Sequence, residues 1–322
     1  MATRDDTAAT EPVDFHDRIA HVDLPEPVAT LADEYDQHFG DRDRFLWRWI
    51  YSLFPEFTLS SVSADHMSHV RTQKTVLTMY VTVLDDLIEH HDDTQTFEEA
   101  RRLTRDSVPP DPERAAVDPE QFAFIERLWR TFEDGVADAP RYQEFADIFE
   151  YDIQQTTNAM EYSAVINRHP HVANLSGARQ YDAHNMVMFP YADVHLMYSP
   201  TFELEDFGPI RDLLWDLQEM ARIGNWLTTW EREITEGDYT AGIVVLALQE
   251  GIVTPTELRE SGQAVVEKIK AHDIEQRFYD RWTDRYESVR ACDHNADSVD
   301  CTALVAGMET VFEYHLASRG HK

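Results

Sequence analysis

The chain has 322 residues, 43% of them apolar, with 16 Phe, 13 Tyr and 7 Trp available to fill a core. That suits one large domain or two small ones and excludes a peptide or a disulfide-stapled mini-protein. Its 61 acidic and 28 basic residues leave a net charge of −33, which repels nucleic-acid phosphates and anionic membranes. Only four of the basic residues are Lys (Lys74, Lys268, Lys270, Lys322). A surface flooded with carboxylates and nearly emptied of Lys fits a protein kept soluble in concentrated salt, where screening removes self-repulsion. A halophilic source is therefore expected, and most carboxylates are expected to serve solvation.

Residues 1–12 are polar, lack the apolar stretch of a signal peptide and are expected to be a disordered tail. Helical spacing then begins with Leu46, Trp49, Ile50 and Leu53. It continues in a long segment over 64–91 that carries Val70, Val76, Met79, Tyr80, Val83, Leu84, Leu87 and Ile88. Pro109-Pro110 closes the next connection, and Pro140 opens a run that Pro170 ends. Shorter helices are expected over 172–199, interrupted near Pro190. A strong one follows over 210–236, ended by Gly237-Asp238, and further helices over 240–250, 255–271, 273–290 and 298–318. No alternating strand pattern, Asn-Gly hairpin signal, fixed repeat or Gly/Ser linker occurs. One all-α domain over 13–322 is the expectation.

Cys292 and Cys301, nine residues apart, form neither a zinc pattern nor a disulfide framework and fit a reducing cytoplasm. The longest strongly apolar run, Ile243–Leu248, is far short of a membrane span, so no stable membrane insertion is expected. Homodimerisation is left open.

Two patterns carry chemistry. Asp85-Asp86-Leu87-Ile88-Glu89 places Asp85 and Glu89 one helical turn apart on one face, where like charges destabilise unless a cation sits between them. Such oxygen ligands suit Mg²⁺, which takes one or two carboxylates and completes its shell with water and phosphate. The bland alternative is a solvated acidic face, but the apolar lead-in Val81-Thr82-Val83-Leu84 favours a cleft. The second pattern runs from Asn225 to Glu233. Asn225, Thr229 and Glu233 drift only roughly 40° and 80° around a helix and form a ladder of oxygen ligands. Arg232 stands beside it, within reach of phosphate oxygens.

These residues resemble the class I terpene synthases, which pair an aspartate-rich motif with an Asn/Ser-Thr/Glu motif about 140 residues later; here 225 − 85 is 140. The break at Glu236-Gly237-Asp238 also resembles the family. Forty-six residues before Asn225, where the family has a diphosphate-sensing Arg, stands Arg179. Asp182 and Ala183 follow at the positions of its linker and of its helix-break effector carbonyl. Arg319-Gly320 stands where the family usually has Arg-Tyr, and Trp226 replaces the usual Asp of the second motif.

The resemblance implies an all-α bundle around a central cavity. In it three Mg²⁺ (Mn²⁺ as a substitute) would bridge the diphosphate of farnesyl or geranylgeranyl diphosphate, which the protein ionises and cyclises. Asp85, assisted by Asp86 or Glu89, would hold two ions and Asn225, Thr229 and Glu233 the third. Arg179, Arg232 and Arg319 would bind phosphate oxygens, with one hydrogen bond lost at Gly320. Arg179 is expected to project toward the same cavity as both metal motifs. A prenyl-chain elongating or head-to-head condensing enzyme, or a non-catalytic isoprenoid-binding protein, are the alternatives. The His90, His91 and His272-Asp273 groups lack the spaced ligand set of a phosphohydrolase and are read as surface or packing residues.

Overall fold

The structure, a computed structural model, describes residues 15–105 and 107–320. The tail expected over 1–12 lies outside them. The described residues form helices and connections, with no strand. In chain order the helices are α1 (Phe15–Ala20), α2 (Glu26–His38), α3 (Arg44–Leu53), α4 (Met67–Glu89), α5 (Thr94–Ala100), α6 (Pro119–Val136), α7 (Tyr142–Arg168) and α8 (Leu175–Gln180). Then come α9 (Met188–Met197), α10 (Phe207–Glu236), α11 (Gly242–Gln249), α12 (Pro255–Glu260), α13 (Gly262–Lys270), α14 (Ile274–Arg290) and α15 (Cys301–Ala317). None is long and apolar enough to cross a membrane.

Local chemistry sets the ends. The side chains of Asp43, Asp93, Asp118 and Asp300 each accept from backbone N–H groups in the first turns of α3, α5, α6 and α15. Thr254 and Glu257 form a reciprocal capping box on α12. Gly237, at φ +88°, takes the left-handed conformation that ends α10. The segment expected as one helix over 255–271 is two, because Ser261 (φ −156°, ψ 64°) leaves the helical region. The break expected near Pro190 falls three residues earlier. A 3₁₀ turn over Asp182–Met186 meets α9 at Val187, whose φ is +57°, and Pro190 sits in the first turn of α9, where a missing N–H costs nothing.

Helices α4 and α10 organise the bundle. Helix α4 packs on α3, α6 and α7, and α10 on α9, α11, α13, α14 and α15. Trp226, on α10, is fully buried and stands edge-on to Phe278 of α14, so the residue in place of the family's Asp is core. Gly307 lets α15 approach the turn at Phe54–Glu56, since a Cβ there would lie 2.2 Å from the Glu56 carbonyl oxygen. Gly307→Ala is therefore expected to cost about 1–3 kcal/mol by overpacking against backbone. A lowered urea midpoint in concentrated salt is the measurement.

Candidate active site

A cavity of about 230 Å³ lies between α3, α4, α7, α9, α10 and α15. Asp85 and Glu89 from α4, Asn225, Thr229 and Glu233 from α10, and Asp238 just beyond α10 line its polar end, with Arg42, Arg222 and Arg232. Trp49, Ile50, Phe54, Phe57, Met188 and Tyr191 are among the apolar and aromatic residues lining the rest. Under the aromatic wall lies Lys74, fully buried. Its ammonium nitrogen donates to the Phe57 carbonyl at 2.5 Å and stands 4.3 Å from the Phe54 ring centre and 5.3 Å from that of Tyr191. Burial pushes its pKa well below the usual lysine range.

The carboxylates of the polar end perturb one another. Burial, and then Asp86 and Asp238, push Asp85 up to about 6 against the opposing pull of Arg42. Burial and Asp238 push Glu233 up to about 7, with Arg222 opposing. Glu89 is raised well above its ordinary range by burial, then by Asp85, Asp238 and Glu233. Asp238 is raised too, by burial, although the Thr240 backbone and hydroxyl both donate to it. Like charges gathered at one end of the cavity disfavour one another's ionised forms, and a cation placed among them would relieve that repulsion.

Asn225 Oδ1 accepts from Arg222 Nη1 at 2.8 Å, and the Thr229 hydroxyl donates to the Asn225 carbonyl at 2.9 Å. Glu233 Oε2 is buried without a hydrogen-bond partner. An unpaired buried carboxylate oxygen on a residue that lines the cavity fits a ligand for a hard cation. Among the described residues no three His, Cys, Asp or Glu side chains close on one point. The donors present, carboxylate, amide and hydroxyl oxygens, are of the hard kind that Mg²⁺ takes beside water and phosphate.

Several residues singled out in the sequence are not brought to the cavity. Asp86 is fully buried elsewhere, accepting from the Tyr35 hydroxyl at 2.7 Å and Arg42 Nε at 2.8 Å. Of the two candidates to assist Asp85, only Glu89 lines the cavity. Arg179, expected to project into it, instead pairs with Glu219 at 2.6 Å, its side chain 41% exposed. Arg319 is likewise drawn away, to Glu275 and Glu231. Arg232 lines the cavity and pairs with Glu236. Asp182 is buried, and both its oxygens accept from Arg222 at 2.7 Å. Ala183 is buried within the 3₁₀ turn, whereas Asn185, Met186 and Val187 after it reach the cavity wall.

Three charged residues at the polar end of the cavity are not marked by the sequence motifs. Arg222 was visible in principle, because 222, 225, 229 and 233 follow one helical face. Asp238 was read only as part of a helix break. Arg42 lies in a connection with no periodicity to mark it.

No protein-family model matches the chain, and no curated protein matches it. Among solved structures it is similar to aristolochene synthase from Penicillium roqueforti, at 15% identity and a TM-score of 0.50, over 92% of this chain and 94% of that one. This is the isoprenoid synthase fold. The farnesyl diphosphate synthase of T. brucei aligns over 95% of both chains, at 11% identity and a TM-score of 0.47. The likeness agrees with the all-helical architecture of the described residues.

The raised carboxylates predict how stability depends on pH. Folded Asp85 and Glu233 hold protons more tightly than in the unfolded chain, so stability falls as pH rises from the ordinary carboxylate range to about 7. Below that window both states are protonated and the effect disappears. Metal-free protein should therefore melt at lower temperature at pH 7.5 than at pH 5 through this term, and Mg²⁺ should narrow the difference. Thermal melts at constant high salt, with and without EDTA, check it.

Proposed function

We propose that this chain is a Mg²⁺-dependent terpene synthase that ionises a linear C15 or C20 isoprenyl diphosphate and cyclises the resulting carbocation. The reading is carried by one observation: carboxylates from two helices meet across one end of a cavity whose remaining walls are apolar and aromatic. Asp85 and Glu89 would hold metal from one side, and Asn225, Thr229 and Glu233 from the other. Bound Mg²⁺ supplies Lewis-acid polarisation of the diphosphate and a template for its orientation.

The chain's own residues do the rest. Arg42, Arg222 and Arg232 offer guanidinium donors to phosphate oxygens and stabilise charge that grows on the leaving group. Arg222 is oriented by both oxygens of Asp182, and its Nη1, which donates to Asn225 Oδ1, would be freed toward phosphate when Asn225 turns to metal. The rings of Trp49, Phe54, Phe57 and Tyr191 line the cavity, where aromatic walls would stabilise a cation and exclude water that would quench it.

A chain-elongating enzyme must also hold a second diphosphate. The pocket next to the polar end is lined by Glu89, Asp92, Glu98, Glu161, Glu236 and Asp238, against one Arg168 and His90. That lining repels a second polyanion and favours cyclisation. The deciding experiment is Mg²⁺-dependent diphosphate release from farnesyl or geranylgeranyl diphosphate, in high salt and without isopentenyl diphosphate. A cyclic hydrocarbon is expected. A requirement for isopentenyl diphosphate would turn the assignment to an elongase, and no release to a binding protein.

Asn225→Ala, Thr229→Ala and Glu233→Ala should each lower turnover by roughly 100-fold, the usual scale for losing a preorganised charge stabiliser. Circular dichroism should show the fold retained. Arg222→Lys should cost most of the turnover while Arg179→Lys costs little. The opposite ranking in steady-state assays would return the sensor role to Arg179, released from Glu219.

A further inference from the structure

Ionisation solves half of the chemical problem, because the cation it leaves must still lose a proton. The polar end offers carboxylates, but those are the groups that face the metal ions and diphosphate. Along the other walls the polar groups are weakly basic: Thr78 and Tyr191 share a hydrogen bond of 2.6 Å, and Met160, Met186, Met188 and Met308 are thioethers. One imidazole lines the cavity among the described residues, that of His315 on α15.

Its setting is built around it. His315 is 5% exposed and stands edge-on to the Trp49 ring at 5.1 Å. Across from it, α10 carries Gly224, where a Cβ would lie 3.2 Å from His315 Cδ2 and 3.3 Å from Cγ. A glycine inside a long helix costs stability, and here it makes room for the ring. Arg319, just beyond the end of α15, is turned away to Glu275 and Glu231, and His315 is the basic side chain that α15 contributes to the cavity.

We propose that His315 is the proton acceptor that ends the carbocation reaction. A C–H bond next to the cationic carbon breaks and its electron pair becomes the new C=C bond. The proton passes to an imidazole nitrogen and leaves as the imidazolium gives it to departing diphosphate or water. The inference rests on the terpene synthase reading, and its test separates the two.

His315→Asn and His315→Gln remove the base while keeping a polar side chain. Ionisation precedes proton loss, so both variants should still release diphosphate from geranylgeranyl or farnesyl diphosphate with Mg²⁺. The ratio of the main alkene to alcohols and isomeric alkenes, read by gas chromatography, should fall about 100-fold, the low end of what a positioned base contributes. Gly224→Ala, which pushes the ring aside, should shift the ratio the same way and serves if both His315 variants fail to fold. Diphosphate release with an unchanged product ratio overturns the assignment and makes diphosphate the base. No release from the wild-type protein overturns the terpene synthase reading and this assignment with it.

Discussion

Four carboxylates that repel one another are held at one end of this bundle, and the surrounding architecture answers that repulsion. Asp85 and Glu89 come from α4, Glu233 from α10 and Asp238 from the turn that follows. Each is raised above its ordinary range, so the bare site lowers its charge by retaining protons. Two guanidinium groups, that of Arg42 partly exposed and that of Arg222 buried, supply the opposing charge. Arg42 is tied to Asp86, which the Tyr35 hydroxyl also binds. Arg222 is tied to Asp182. These buried ion pairs are costly in desolvation, and they hold cations beside a site that no surface Arg could serve with the same rigidity.

The opposite end of the cavity obeys a different rule. There the walls must be dry, yet Lys74 lies beneath them. Its ammonium nitrogen is satisfied by a backbone carbonyl and by ring faces, the two partners an apolar interior can offer a cation. A chain with four lysines in 322 residues keeps one of them there. It ties the Phe57 backbone, and with it the aromatic wall, to α4.

Much of this was legible before the structure. Periodicity located α3, α4, α7, α10, α11, α14 and α15, because each buries an apolar stripe. The spacing within Asp85–Glu89 and Asn225–Glu233 put the right side chains on common faces. What the sequence could not show was which of several adjacent polar residues turns inward. Asp85 and Asp86 differ by 100° around α4, and only the packing of α2 through Tyr35 decides that Asp86 is spent on Arg42. Arg179 was singled out by its distance along the chain from Asn225, whereas its direction depends on Glu219, a partner that no motif contains. Helix α6 announced itself with Asp118-Pro119 and was overlooked, since its stripe begins just after a polar connection.

Val187 joins the 3₁₀ turn to α9 at φ +57°, a conformation in which a β-branched residue is strained. Its neighbours Met186 and Met188 line the cavity with it, so a bent piece of backbone, rather than a smooth helix face, forms that part of the wall. The strain is borne between α8 and α9, away from the carboxylates of α4 and α10. The same turn also carries Asp182, which holds Arg222 at the polar end, so shape and charge meet in one short segment of the chain. A substitution at this joint would therefore reach both the contour of the wall and, through Asp182, the footing of a guanidinium at the charged end.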